Sequence, residues 1–133
     1  MNNKELGTAW ERMVCAILSE RGYWAHFIVP DSRGAQPFDI IAVKNGMGYA
    51  VECKTLSEDK KSFNISRLED NQEMAFGKWL SCGNLMPEVW IEHGDEVYRC
   101  PYDVLAEKRS IKLKDMRRDK DAERIRMRLQ GRI

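Results

Sequence analysis

Near the start of the chain, apolar residues recur at helical spacing: Leu6, Trp10, Met13, Val14, Ile17 and Leu18, with Gly22 as a stop. That spacing predicts an amphipathic helix over residues 3–21, because positions three and four apart share a face. Tyr23–Val29 changes to a strand-like run, and Pro30–Pro37 is a loop punctuated by Pro and Gly. Two more strand-like runs, Phe38–Lys44 and Tyr49–Lys54, flank Asn45-Gly46, a strong tight-hairpin signal. Thr55–Asn64 is polar and reads as a mobile connection. Ser66-Arg-Leu-Glu69 has capping-box form and predicts a second helix running to about Cys82, with Leu68, Ala75, Phe76, Trp79 and Leu80 as its apolar stripe. Val89–Ile91 and Glu96–Cys100 suggest a second hairpin around Gly94-Asp95, and a short helix is expected over Asp103–Lys108. The order helix, three strands, helix, two strands predicts an α/β fold: a mixed central sheet of about five strands flanked by helices.

Two acids break this pattern where apolar residues are expected. Asp39 opens one strand-like run, and Glu52-Cys53-Lys54 closes the next. A carboxylate buried without a partner or a metal is costly, and local sequence logic fails mainly at functional sites. Magnesium takes a few hard oxygen ligands and keeps its waters, so one or two carboxylates plus a substrate phosphate suffice. Lys54, two residues past Glu52, points to the same sheet face, where it can orient an attacking water or offset phosphate charge. The combination is what metal-dependent phosphodiester hydrolysis requires. Glu11 lies one helical step of about 100° from Trp10, at the border of the buried stripe.

The near-neutral total charge conceals an asymmetry. Residues 107–133 hold eleven Lys/Arg against five Asp/Glu, whereas residues 1–106 are net acidic. A basic end on an acidic body suggests a grip on a polyanion through Arg117, Arg118, Lys120, Arg124, Arg126 and Arg128. Sparse apolar positions there (Ile125 and Leu129 among them) leave open a helix that packs on a partner or a tail that orders on nucleic acid. Four scattered cysteines, with only His26 and His93, form no zinc pattern and read as reduced, packed thiols. No apolar run is long enough to span a membrane, and a cytoplasmic protein is expected.

Together, Glu11, Pro37-Phe38-Asp39 and Glu52-x-Lys54 resemble the PD-(D/E)xK nuclease superfamily, which has a restriction-endonuclease-like fold. Gly22-Tyr23, Pro30-x-Ser32-x-Gly34-x-x-Pro37-Phe38-Asp39-Ile40-Ile41-Ala42 and Glu52-Cys53-Lys54-Thr55 are more narrowly similar to Holliday junction resolvases of archaeal and phage types. Ile65–Gln72 with Cys82-Gly83-Asn84 is similar to the phage and RecU-like branch. The resemblance implies a nuclease domain over residues 1–108 and a basic tail or helix over 109–133. It implies that Asp39, Glu52 and the Cys53 backbone carbonyl hold Mg²⁺, with Mn²⁺ as a substitute. Glu11 would reach the site through water or a second metal, and Lys54 would position the hydrolytic water. Ser32, Arg33 and Gln72 would join Arg117, Arg118 and Arg124 as DNA contacts. Members of this family act as homodimers on four-way DNA junctions, since two opposed cuts match a two-fold protein. A restriction- or repair-type nuclease keeps the same residues with another DNA substrate. A DNA-binding module without catalysis is disfavoured because all four catalytic positions are filled.

Overall fold

The protein is described here by a computed structural model covering residues 3–29 and 36–133, with side chains from Thr8 onward. Ser32 and Arg33 lie outside the described residues. In chain order the elements are α1 (Asn3–Glu20), β1 (Trp24–Phe27), β2 (Ile40–Lys44), β3 (Met47–Thr55), β4 (Ser62–Asn64) and α2 (Asp70–Ser81). There follow β5 (Glu88–His93), β6 (Glu96–Pro101), α3 (Tyr102–Lys108), β7 (Ser110–Lys112), β8 (Arg117–Arg118) and α4 (Lys120–Leu129).

Six strands form the central sheet in the order β1-β2-β3-β5-β6-β8, and β4 and β7 make a separate two-stranded ribbon. All neighbours are antiparallel except β3 and β5. The β2–β3 hairpin turns at Asn45 and Gly46, both at positive φ (55° and 75°), as a tight turn matched to strand twist demands. One sheet face packs Tyr49, Val51 and Trp90 under Trp10, Val14, Ile17 and Leu18 of α1 and Ala122 of α4. The opposite face packs Ala50, Val89 and Ile91 under Phe76 of α2, Leu105 of α3 and the ribbon residues Phe63 and Ile111.

Three expectations change. The stretch expected to be a mobile connection buries Leu56 and Phe63, and its end pairs with β7. A single aromatic among polar neighbours carries no period, so its burial could not be read from spacing. The second helix starts at Asp70; Ile65–Arg67 is a separate 3₁₀ turn capped by the Asn64 side chain, which accepts from Ser66 N at 2.8 Å. The residues after Arg109 complete the domain: β8 extends the sheet beside β6, while Ile111, Leu113 and Ala122 join the core.

Asp119 ties this last segment down. Its carboxylate accepts two hydrogen bonds from Arg21 (2.9 and 2.7 Å), one from Arg99 (3.1 Å) and one from Ala122 N (2.9 Å), capping α4. Burial alone would raise this carboxyl, but Arg21, the Ala122 N–H and Arg99 hold it down at about 2. Asp119→Ala leaves two half-buried guanidiniums short of a partner and the helix without its cap, so a loss of about 3 kcal/mol is expected at neutral pH. The sign with pH follows from the depressed value: the stabilisation is full above the ordinary range near 4 and fades as pH falls through about 2. Urea unfolding of both proteins should therefore show a gap at pH 7 that narrows toward pH 2.

Candidate active site

The site forms where the β2–β3 ladder forks. Pairing ends at Ile40↔Val51, but β3 continues through Glu52, Cys53, Lys54 and Thr55 with only β5 beside it. On the open side, Cys53 N donates to Asp39 Oδ2 at 2.7 Å. The carbonyl of a strand residue faces the same edge as its N–H, so the Cys53 oxygen also faces this gap. Asp39, one residue before β2, holds the fork through its own N–H to Val51 O (3.2 Å) and through Ile28 N to its carbonyl (2.9 Å).

Asp39 and Glu52 are both buried, at 4% and 2% relative exposure. Lys54 Nζ lies 3.4 Å from Glu52 Oε2. That same oxygen accepts from Gln72 Nε2, whose other amide atom accepts from Glu69 N at 3.0 Å and so closes the first turn of α2. Gln72, expected from the resemblance as a DNA contact, is here hydrogen-bonded at both ends of its amide, to Glu52 and to the start of α2. Glu52 Oε1 is buried with no hydrogen-bond partner.

Glu11 arrives from α1 on the opposite sheet face and meets Asp39 around the open edge. Desolvation, then the adjacent Asp39 charge, raises the Glu11 carboxyl to about 7. Burial and Asp39 raise Glu52 to about 8, against the opposing pull of Lys54 and Gln72. Burial likewise raises Asp39, although the Cys53 N–H works against it. Three carboxyls crowded this closely resist joint ionisation.

That arrangement fits a hard divalent cation. The donors are oxygens, one of them orphaned in the interior, and their mutual repulsion is what a cation removes. Among the described residues no three His, Cys, Asp or Glu side chains close into a preformed cage. Magnesium does not need one, since it keeps several waters and uses one or two carboxylates.

One contact carried almost no signal in the sequence. Gln36 donates from its side chain to Asp39 Oδ1, and Asn71 holds the Gln36 carbonyl at 3.0 Å. Only its place three residues before Asp39 could have pointed to it. Most of the basic residues expected to grip a polyanion are engaged in ion pairs. Arg118 pairs with Glu96 and Glu123, Arg124 with Asp121, Arg126 with Glu92 and Arg128 with Glu20. Arg117 and Lys120 are exposed.

A family model described as archaeal Holliday junction resolvase (Hjc) matches residues 2–81, the span that holds Glu11, Asp39, Glu52, Lys54 and Gln72. Comparison with curated proteins gives no match. Among solved structures, the fold is similar to that of Archaeoglobus fulgidus Hjc, a Holliday junction resolvase from an archaeal hyperthermophile. The TM-score is 0.60 at 18% identity, covering 90% of this chain and 93% of that one. It is also similar to a bacterial homing endonuclease, with a TM-score of 0.55 at 13% identity over 85% of this chain and 78% of the other. The architecture is the restriction-endonuclease-like one expected from the PD-(D/E)xK pattern.

Proposed function

The chain belongs to the archaeal Holliday junction resolvase family, and on that premise we propose that it is a metal-dependent endonuclease hydrolysing phosphodiester bonds at four-way DNA junctions. The observation that carries this reading is the fork itself, where Asp39, Glu52 and Lys54 converge around a buried, unpartnered carboxylate oxygen. In it, Asp39 and Glu52 would hold Mg²⁺ or Mn²⁺, the Cys53 carbonyl would complete the protein ligands, and Glu11 would contribute through water. When bound, the cation supplies Lewis-acid stabilisation to the scissile phosphate and lowers the pKa of a bound water.

The chain's own groups do the rest. Lys54 orients the attacking water and offsets charge that builds on the phosphate oxygens. Gln72 and Gln36 fix the rotamers of Glu52 and Asp39 at the fork, which leaves Glu52 Oε1 as the unpartnered oxygen there. Ser32, Arg33, Arg117, Arg118 and Arg124 contact DNA in this reading; Arg118 and Arg124 do so by exchanging carboxylate partners for phosphate. A homodimer would present two such sites for opposed cuts.

A labelled four-way junction and a matched linear duplex, each with Mg²⁺ and with EDTA, test the proposal. Junction-selective cutting that EDTA abolishes is expected. Cutting of the duplex alone would assign a restriction- or repair-type substrate, and no cutting of either would overturn the enzyme. Metal binding has a second readout. At a hundredfold excess over its Kd, Mg²⁺ adds about 2.7 kcal/mol of stability, which raises the melting temperature by roughly 10 °C. Asp39→Asn should lose that shift.

A further inference from the structure

A cleft of about 470 Å³ opens between the central sheet and the β4–β7 ribbon, with Lys61, Lys112 and Lys114 on the ribbon side and His93, Glu96 and Tyr98 on the sheet side. Strand register places it relative to the fork. Glu52 pairs with Val89 and Lys54 with Ile91, while Ile91 pairs with Tyr98 and His93 with Glu96. Paired and alternate residues share a face. His93, Glu96 and Tyr98 therefore project from the same sheet face as Glu52 and Lys54. His93 stands two residues beyond the partner of Lys54, about 7 Å farther along the strand direction.

The ribbon gathers the lysines. Ser62 pairs with Lys112, and Leu113 N donates to Lys61 O at 2.9 Å, so the ends of β4 and β7 bring Lys61, Lys112 and Lys114 into one exposed group. None of the three forms an ion pair among the described residues: Lys61 Nζ reaches the Glu58 carbonyl at 3.4 Å and lies in the field of the exposed Asp59, and Lys112 and Lys114 have no carboxylate partner there. The acid in the cleft, Glu96, is already held by Arg118 at 3.0 Å and by the Tyr98 hydroxyl at 2.9 Å. The α4 arginines, by contrast, are mostly spent on internal pairs. Lys112, Lys114 and the sheet wall also lie beyond the span matched by the family model.

We infer that this cleft seats backbone phosphates of the DNA arm that leaves the scissile site. Lysine binds phosphate as a point charge without demanding a fixed geometry, and several such charges along a ribbon suit a polyanion that runs past them. Which arm is bound rests on the nuclease reading; the phosphate contact itself does not.

The test uses the full chain carrying Lys61→Ala, Lys112→Ala and Lys114→Ala together, with the three Lys→Arg changes as a control. Junction affinity is measured by fluorescence anisotropy in EDTA between about 50 and 200 mM salt. Each lost phosphate contact removes roughly 0.9 from the slope of log K against log salt, so the alanine variant should flatten the slope by about 2 to 3. The arginine variant should keep the slope, and the alanine variant's single-turnover cleavage at saturating enzyme should stay within about twofold of the unmodified chain. An unchanged slope, or an arginine variant as impaired as the alanine one, overturns the inference. If the unmodified chain cuts no DNA while the alanine variant still flattens the slope, the cleft stands and the nuclease reading falls. Intact junction cutting with an unchanged slope does the reverse: the nuclease reading stands and the cleft loses its role.

Discussion

Asp39→Asn is expected to abolish cleavage, lowering the single-turnover rate by about a thousandfold or more, while junction affinity stays within a few-fold. The substitution keeps side-chain volume, and one amide atom can still face the Cys53 N–H that holds Oδ2 at 2.7 Å. What it removes is charge, at a carboxylate that interacts with both Glu11 and Glu52. A bound metal contributes several kcal/mol to a phosphoryl transition state, and each 1.36 kcal/mol is about tenfold in rate. Gel assays with increasing Mn²⁺ would check whether the defect lies in metal capture. Robust cutting by Asp39→Asn would remove Asp39 from the site.

Lys54→Ala should separate chemistry from binding. The ammonium sits beside Glu52 and is only one fifth exposed. A single preorganised charge of this kind is worth roughly a hundredfold in rate. Junction affinity should hardly move, because the Lys54 ammonium is mostly withdrawn from solvent beside Glu52, at 3.4 Å, unlike the more exposed Arg118 and Arg124. Losing Lys54 also removes a pull that holds the Glu52 carboxyl down, so the pH–rate profile should shift to higher pH. Lys54→Arg, which keeps the charge, should restore the profile more than the rate. A fall in affinity with an unchanged rate at saturation would make Lys54 a binding residue.

The proposed catalytic positions were legible because they contradict their surroundings. Asp39 and Glu52 stand in apolar strands, and Lys54 follows at the spacing that shares a face. Helix α1, the Asn45-Gly46 hairpin and the β5–β6 hairpin were legible from periodicity and turn chemistry. What stayed hidden depends on contacts between distant segments. Phe63 needed Ile111 to become a core residue, Gln36 needed the fork, and Asp119 needed Arg21 and Arg99. The start of α2 was misplaced because two capping patterns stand side by side, Asn64 to Ser66 and Glu69 to Gln72. The basic end is the clearest case. Its composition advertised a free polyanion grip, but its carboxylate partners on β5, β6 and α1 cannot be seen from a charge count.

The orphaned Glu52 oxygen also carries a thermodynamic cost that falls on the resting protein. A carboxyl held up at about 8 opposes folding progressively as pH rises from its ordinary range toward that value. Glu52→Gln, which cannot ionise, should melt above the unmodified chain at pH 8 without metal and match it near pH 4. Mg²⁺ should reverse the ranking at pH 8. With Glu52 as a proposed metal ligand, activity and durability are set against each other in one side chain, and a screen for heat resistance alone would favour the variant that lacks that ligand.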